Sequence, residues 1–380
     1  MSDSARTSGL RLLGMPADEL QISEVGSVEL SGVARVDSAA VPAAAAHAVQ
    51  SKIDMHHHFC APEWREWAER HGLIRREQLP PWAQLDVAAS VGFMDRAGIA
   101  TAVLKPMLPA RYESSAQLRE AITITLRSMI EVAQSHPGRF SFYVPLFLDD
   151  ADASSWAVRR GLGQLGAVGV NVTANYGGVY LGDPSYDRVF HELDDCSAVV
   201  DTHPHHLPGG PPGAGGAGGP GGPGGPGGAS TVPGIPNFLC DFLLDTTRAA
   251  VNMISQRTLD RFPNISVILP HAGGFLPYIA MRMQALGRFC DPPVDAGAVR
   301  DYLQRFYYDT AGPMAAAGTL LAHVPADHVM FGTDWPAAPA DTVTDLALPV
   351  LDADPFISPA QLQGIYRDNA LRLIPQLATV

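Results

Sequence analysis

A (β/α)8 barrel is the fold that this sequence predicts, and the order of its elements is the main reason. From residue 50 onward, eight short runs of β-branched and aromatic residues alternate with stretches of helical periodicity. An open, doubly wound sheet is the alternative for such an alternation. However, no G-x-G-x-x-G sequence follows the first run, so the nucleotide-binding form of that fold lacks its signature. Eight β/α units over roughly 300 residues therefore favour closure into a barrel.

The eight predicted strands follow one another along the whole of this region. They are KIDMHH (52–57), ATAVLKP (100–106), FSFYVPLF (140–147), AVGVNV (167–172), AVVDTH (198–203), SVILPH (266–271), RFYYDTA (305–311) and HVMFGTD (328–334). Helical patterns separate them, for example QLDVAASVGFMDRAG, SAQLREAITITLRSMIEVAQSH, DFLLDTTRAAVNMISQRTLDRF and FLPYIAMRMQALGRF. Each strand thus has a helix or a helical candidate behind it, as the barrel requires.

Two segments stand outside this alternation. Residues 209–228 contain only Gly, Pro and Ala, so they have no large side chains whose burial would offset the entropy of ordering them. We interpret them as a flexible insertion in the loop after the fifth strand. Residues 1–49 are interpreted as an N-terminal arm. Because the last three strands are needed to close the barrel, residues 50–376 are predicted to form one domain that includes the insertion.

The composition argues against several classes of function. The net charge is −13 and the pI is about 5.4, which disfavours binding to nucleic acid or to an anionic membrane. No apolar run reaches the roughly 18 residues of a membrane span, and acidic residues near the start of the chain argue against a signal peptide. Four scattered cysteines without a C-x-x-C pair predict reduced thiols in a cytoplasmic protein.

Chemically active residues collect at the C-terminal ends of four predicted strands, the end at which barrels carry their active sites. These ends hold His56, His57, His58, His203, His271 and Asp334. Since residues i and i+2 of a strand share a face, His56 and His58 are predicted to point into the barrel mouth, while His57 faces the helices as a structural histidine.

Together with His203 and Asp334, the pair His56 and His58 offers three nitrogen donors and one oxygen donor. This set suits one divalent transition ion, with Zn²⁺ as the first choice and Mn²⁺ as the alternative. Two alternatives remain open, because His205 or His206 would also supply an imidazole after the fifth strand, and an aspartate at a strand end also serves as a helix cap.

Several motifs in this order identify a family. The set D-x-H-x-H (Asp54, His56, His58), the H-P of the fifth strand, HAGG with Pro277, and GTDWP resembles the amidohydrolase superfamily over about residues 50–375. More narrowly, it is similar to the decarboxylase branch typified by aminocarboxymuconate semialdehyde decarboxylase. The stretches DFLLDTTRAAVNMISQRTLDRFPNISVILPHAGGFLPYIAMR and FYYDTAGP resemble bacterial proteins grouped with 6-methylsalicylate decarboxylase. The resemblance implies a barrel, a metal-dependent reaction and a homo-oligomer, either a dimer or a larger assembly.

The resemblance also implies a role for individual residues. Amidohydrolases with two metals carry a carboxylated Lys or a Glu on the fourth strand, whereas here that strand ends Asn171-Val172-Thr173. A single ion is therefore expected. His271 is then the acid–base residue rather than a main ligand, and Asp334 is a ligand with a share in proton transfer.

We therefore expect a metal-dependent, non-oxidative decarboxylase of a small aromatic or enoate carboxylic acid. Phe59 and Trp82 are candidates for the pocket wall, and Arg248 is a candidate partner for the substrate carboxylate. A mononuclear metal-dependent hydrolase of a lactone, ester or amide is the alternative, because the same ligands also activate water. A barrel that binds without metal or catalysis is the third hypothesis.

Overall fold

The computed structural model describes residues 52–109, 111–207, 234–312 and 317–378. Within them, eight parallel strands form one sheet whose spatial order is the order of the chain. The strands are β1 (Lys52–Phe59), β2 (Ile99–Pro106), β3 (Phe140–Pro145), β4 (Gly169–Thr173), β5 (Val199–His203), β6 (Ser266–Leu269), β7 (Tyr307–Asp309) and β8 (Val329–Met330). The predicted barrel is confirmed, with β7 and β8 shorter than predicted. The arm (1–49) and the insertion (209–228) lie outside the described residues.

The barrel closes where β1 meets the segment after β8. His57 and Trp335 form a parallel bridge. The amide of His58 donates to the Trp335 carbonyl (2.6 Å), and the amide of Asp334 donates to the His56 carbonyl (3.0 Å). These bonds extend the short ladder of β8, and they bring Asp334 beside the C-terminal end of β1.

Helices cover the outside of the strands. They are α1 (Pro62–Arg70), α2 (Val87–Ala97), α3 (Ser115–Ser135), α4 (Ala151–Gln164), α5 (Asp187–Asp195), α6 (Asp241–Ser255), α7 (Thr258–Arg261), α8 (Leu276–Leu286), α9 (Ala296–Arg305), α10 (Ala317–Leu321), α11 (Leu348–Asp352), α12 (Pro359–Gln363) and α13 (Asn369–Leu373). The helix predicted over DFLLDTTRAAVNMISQRTLDRF is split into α6 and α7, because Arg257 has a left-handed backbone (φ 55°). No helix in the described ranges has both the length and the apolarity to cross a membrane.

Side-chain caps fix the start of five of these helices. Asp86, Ser114, Asp150, Asp295 and Ser358 each accept a hydrogen bond from the backbone amide three residues further on. A cap of this kind satisfies an amide that the helix start leaves without a partner, and it contributes about 1 kcal/mol. These polar residues therefore set boundaries that apolar periodicity alone leaves open.

The apolar core has an outer and an inner part. A large cluster lies between strands and helices, and a smaller one fills the barrel with side chains from most of its strands. The inner cluster contains Ile53, Met55, Val103, Tyr143, Val168, Val199, Ile268 and Met330, and the C-terminal residues Ala370, Ile374 and Leu377 pack against them. Burial of each large apolar side chain contributes about 1.5–3 kcal/mol. This packing fills the lower barrel and leaves the C-terminal strand ends to polar groups.

Candidate metal centre

A bulge in β1 aims the histidines. The pairing of β1 with β2 slips between Asp54 and His57, where three steps along β1 match two along β2. Bulges of this type turn side chains and are common beside active sites. Met55 therefore packs in the inner cluster, while His56 and His58 also point inward, with their Nε2 atoms 3.3 Å apart. The two histidines share a face, as their i, i+2 spacing predicts.

Asp54 ties β1 to the segment that carries Asp334. Its Oδ2 accepts hydrogen bonds from His57 Nδ1 (3.0 Å) and from the Thr333 hydroxyl (2.6 Å), and its Oδ1 accepts one from the Thr333 amide (3.0 Å). On the other side of the His57 ring, Nε2 lies 3.1 Å from the Ser90 hydroxyl on α2. Asp54 is therefore a positioning residue, and His57 faces the helix layer, where the sequence predicts it.

His56, His58, His203 and Asp334 converge on one point at the barrel mouth. One donor atom from each lies within 4.8 Å of the others. Asp334 Oδ1 is 3.0 Å from His58 Nε2 and 3.3 Å from His56 Nε2. Tetrahedral ligands about 2.1 Å from zinc are about 3.4 Å from each other, so the cluster has nearly the size of a coordination shell. Facing lone pairs repel one another, and a cation between them removes that repulsion.

Hydrogen bonds on the far side of two rings aim their Nε2 atoms at this point. Asp309 Oδ2 accepts from His56 Nδ1 (2.8 Å), and the Pro204 carbonyl accepts from His203 Nδ1 (2.8 Å). A histidine that donates from Nδ1 keeps its lone pair on Nε2, as metal binding requires. The residues present therefore fit a divalent ion.

Burial controls the charge of the imidazoles. It lowers the pKa of His58 to about 4 and holds the pKa of His203 well below its usual range, so both rings are neutral at pH 7. At His56, burial and the Lys105 ammonium lower the pKa, but Asp309 outweighs them and raises it to about 9. A cation that binds Nε2 of His56 would therefore compete with this proton.

His271 and Asp334 both have left-handed backbones, with φ values of 54° and 64°. Non-glycine residues seldom adopt this conformation, and where they do it is often at functional sites. At the mouth His271 is buried and Asp334 is half-buried, with His271 Nε2 3.8 Å from Asp334 Oδ2. This distance exceeds a hydrogen bond, but a small movement of either side chain closes it. Burial alone would raise the pKa of the Asp334 carboxyl. Contact with His271 and His56 outweighs burial and holds that pKa well below its usual range.

Glycines make room for this pair. Gly312 has φ 61°, and a Cβ there would lie 3.3 Å from His271 Cδ2 and 3.8 Å from Asp334 Oδ2. In the HAGG motif, a Cβ on Gly274 would lie 2.2 Å from the Leu243 carbonyl oxygen. Gly274 therefore allows a close backbone approach after His271, and this approach packs the turn against α6.

Two buried charged residues behind the cluster, Asp309 and Lys105, were missed by the sequence analysis. Asp309 ends β7, and its Oδ1 accepts from the amide of His271 (2.9 Å). Lys105, near the end of β2, places Nζ 3.1 Å from Asp201 Oδ1 and 3.1 Å from His56 Nδ1. Strand ends were the signal that identified the histidines. Applied to β2 and β7 as well, the same rule would have identified Lys105 and Asp309.

The predicted substrate residues occupy different places. Trp82 packs beside the cluster, with its ring centroid 5.6 Å from that of His58. Phe59 is half-buried and packs against the outer core. Arg248, in contrast, is exposed on α6 and hydrogen-bonds to Tyr180. The structure thus brings Trp82 to the metal cluster and leaves Arg248 on the surface.

The loop after β5 is anchored by Asp245 on α6. Its carboxylate accepts hydrogen bonds from the His205 amide (2.7 Å), Asn175 Nδ2 (2.9 Å) and the Tyr180 hydroxyl (2.9 Å). Burial raises the pKa of Asp245 to about 6. Among the described residues, the metal cluster includes His203 and neither His205 nor His206. Asp245 therefore fixes the backbone that directly follows His203, a candidate ligand.

A parallel eight-stranded barrel with three histidines and an aspartate at its C-terminal rim defines a metal-dependent enzyme class of amidohydrolase type. The amidohydrolase family model matches residues 53–376, and the chain belongs to this family. The motifs predicted this family and its decarboxylase branch, and the comparisons confirm both.

Known proteins resemble the chain over most of its length. The 6-methylsalicylic acid decarboxylase of Aspergillus aculeatus is 27% identical over 344 residues, covering 86% of this chain and 96% of the relative. The crystal structure of an amidohydrolase II has a TM-score of 0.72 at 27% identity and covers 85% of this chain and 99% of its own. A dihydroxybenzoic acid decarboxylase from Polaromonas sp. JS666, with bound manganese and 2-nitroresorcinol, has a TM-score of 0.66 at 21% identity, covering 86% and 97%.

Replacing Asp309 by asparagine is expected to weaken metal binding about 10- to 100-fold, the usual cost of losing a carboxylate behind a ligating histidine. The amide leaves His56 Nδ1 without its charged acceptor. Titration of metal-free protein with Zn²⁺ or Mn²⁺ measures the change. Asp301→Asn, at an exposed carboxylate, is the matched control and keeps wild-type affinity. Equal affinities for the two variants would contradict the role given to Asp309.

Proposed function

We propose that this protein is a metal-dependent, non-oxidative decarboxylase of a small aromatic or enoate carboxylic acid. The observation that carries the proposal is the cluster of His56, His58, His203 and Asp334, with His271 beside it but outside the ligand set. The similarity to a 6-methylsalicylic acid decarboxylase over most of both chains supports an aromatic acid as substrate.

One divalent ion is proposed, with Zn²⁺ first and Mn²⁺ as the alternative. On β4, Asn171 donates to Asp201 (2.7 Å), and this strand has no Lys or Glu to bridge two ions. Manganese is the ion in the Polaromonas enzyme, which supports the alternative. When bound, the ion would supply a Lewis acid that holds the substrate carboxylate.

The residues of the chain handle the proton. His271 delivers a proton from Nε2 to the ring carbon that bears the carboxylate. The bond between that carbon and the carboxylate then breaks, its electron pair returns to the ring, and CO2 leaves. Asp334, 3.8 Å from His271 Nε2, keeps the imidazole oriented and assists its reprotonation. The balanced result is one arene formed and one proton consumed for each CO2 released.

Two aromatic side chains are proposed to shape the pocket. Trp82 lies against His58, where its indole covers one side of an aromatic substrate and excludes water. Phe59 directly follows the ligand pair and is half-buried. Arg248 as the carboxylate partner stays a prediction, and its exposed position on α6 does not support it.

A product assay tests the proposal. Metal-loaded protein is incubated with a panel of hydroxybenzoic acids and enoate acids, and with aryl esters and lactones. The proposal expects release of CO2 with loss of the acid, and it expects a chelator to stop the reaction until the metal is returned. Hydrolysis of an ester or lactone, with no acid losing CO2, would replace the decarboxylase by the alternative hydrolase.

We also propose that the protein is a homo-oligomer. On α8 and just after it, Tyr278, Met281 and Phe289 are 86%, 81% and 73% exposed. Large apolar side chains grouped on one surface favour association. Light scattering of the full chain is expected to give a dimer or a larger assembly, and a monomer would contradict this proposal.

A further inference from the structure

A small cavity opens beside the metal cluster, between β2 and β5. Its walls include His58 and His203 on the cluster side, Met107 and Phe147 as apolar surface, and Lys105. Among the described residues that line it, Lys105 is the one lysine or arginine. A carboxylate that enters an apolar pocket needs a charged hydrogen-bond partner, because its desolvation is costly. Lys105 is therefore the candidate hydrogen-bond partner for a carboxylate in this cavity.

The ammonium of Lys105 has one N–H group available for a further hydrogen bond. Its side chain is 1% exposed, with Nζ 3.1 Å from Asp201 Oδ1 and 3.3 Å from the Thr202 carbonyl. The third neighbour, His56 Nδ1 at 3.1 Å, already donates to Asp309 and so cannot accept. An ammonium carries three hydrogens. One hydrogen is thus left without an acceptor among the described residues.

Two arginines, Arg248 and Arg76, are less well placed for this role. Arg248 is exposed on α6, and Arg76 lies on the surface, where it pairs with Glu69. Lys105, in contrast, stands behind the ring of His56, a proposed ligand. Lys105 also lines the same cavity as His58 and His203, two of the proposed ligands, so a carboxylate in the cavity lies between the lysine and the metal cluster.

We infer that Lys105 binds the carboxylate of the substrate in this cavity, with the substrate ring against Met107 and Phe147. The inference rests on the proposed function for its substrate class, an arene carboxylate. It assigns to a lysine of β2 the role for which the sequence analysis named Arg248. Asp201 and the Thr202 carbonyl hold the ammonium in place for that contact.

Binding of benzoate and benzamide to the metal-loaded full chain tests the inference without requiring turnover. The two probes share a ring and differ in charge. Lys105→Met is expected to weaken benzoate binding roughly 10- to 100-fold, the range for a hydrogen bond to a charged group. Benzamide affinity and metal content are expected to stay at wild-type values. Calorimetry measures the affinities, and elemental analysis measures the metal.

Two further variants keep the test decisive. Lys105→Met leaves the Asp201 carboxylate buried without its ion-pair partner. The double variant Lys105→Met/Asp201→Asn removes both charges and is expected to retain the fold. Lys52→Met is the matched control, because Lys52 is also buried, at the start of β1, where Nζ donates to the Ala97 carbonyl (3.0 Å). The control is expected to bind benzoate like the wild type.

The inference is overturned if the double variant binds benzoate like the wild type, if it loses benzoate and benzamide equally, or if it loses its metal. Failure of the proposed function gives a different pattern. In that case no acid in the panel loses CO2, while benzoate binding still depends on Lys105.

Discussion

Replacing His56 by alanine is expected to give a folded protein that no longer holds a metal ion and has no measurable turnover. His56 Nε2 lies 3.3 Å from both His58 Nε2 and Asp334 Oδ1, so its loss removes one side of the coordination shell. Loss of a supporting residue costs roughly 10- to 100-fold in metal affinity, and loss of a ligand should cost more. Elemental analysis after gel filtration measures the metal, and the CO2 assay measures turnover.

The neighbouring residue provides the control for this substitution. His57 is fully buried and is held by Asp54 and Ser90, away from the metal cluster. His57→Gln is expected to keep the metal and to lower the free energy of unfolding by about 1–3 kcal/mol, the cost of disturbing buried hydrogen bonds. If His56→Ala retained a full complement of metal while His57→Gln lost it, the assignment of the three histidines would be wrong.

His271→Gln is expected to have the second largest effect, and to have it without loss of metal. Glutamine fills much of the same space but cannot deliver a proton as imidazolium does. The turnover number should therefore fall about 10²- to 10⁴-fold, the usual contribution of a general acid. The KM for the acid and the metal content should change little, because His271 lies outside the ligand set.

A histidine far from the rim is the control for His271. His191 is exposed on α5, where its ring contacts Phe262, and His191→Gln is expected to leave the turnover number unchanged. Loss of metal from His271→Gln would instead make His271 a ligand. A wild-type rate in this variant would remove it from the mechanism.

The barrel and the four residues of the metal cluster are predictable from the sequence because they depend on local patterns. Strand runs are continuous and apolar, since parallel strands in a barrel are covered on both faces. The C-terminal ends of such strands meet at one rim, so His56, His58, His203 and Asp334 are expected together before any coordinates are known.

The supporting charges and the backbone conformations are harder to predict because they depend on neighbours distant in sequence. The bulge between Asp54 and His57 depends on pairing with β2, and a run of β-branched and polar residues does not reveal it. The left-handed backbone of Asp334 is also set by the surrounding fold. Lys105 is a different case, since it lies near a strand end but has no recognised motif around it.

Arg248 shows the limit of assigning a partner by residue type. An arginine is the usual bidentate hydrogen-bond partner of a carboxylate. Arg248, in DTTRA, follows the fifth strand in the sequence, as a residue near the barrel mouth would. The position of a side chain around a helix decides whether it faces the barrel mouth, however, and Arg248 is exposed. Its neighbour Asp245 is buried and anchors the loop instead.

The central claim is that side chains from β1, from β5 and from the segment after β8 bind one cation. Anomalous diffraction from crystals of the metal-loaded protein, collected on both sides of the metal absorption edge, tests this most directly. The account predicts one peak per chain, bonded to Nε2 of His56, His58 and His203 and to a carboxylate oxygen of Asp334, with His271 close by but unbound. A fully active crystal with no peak at that point, or a peak bonded to His271 in place of one of the four residues, would contradict it.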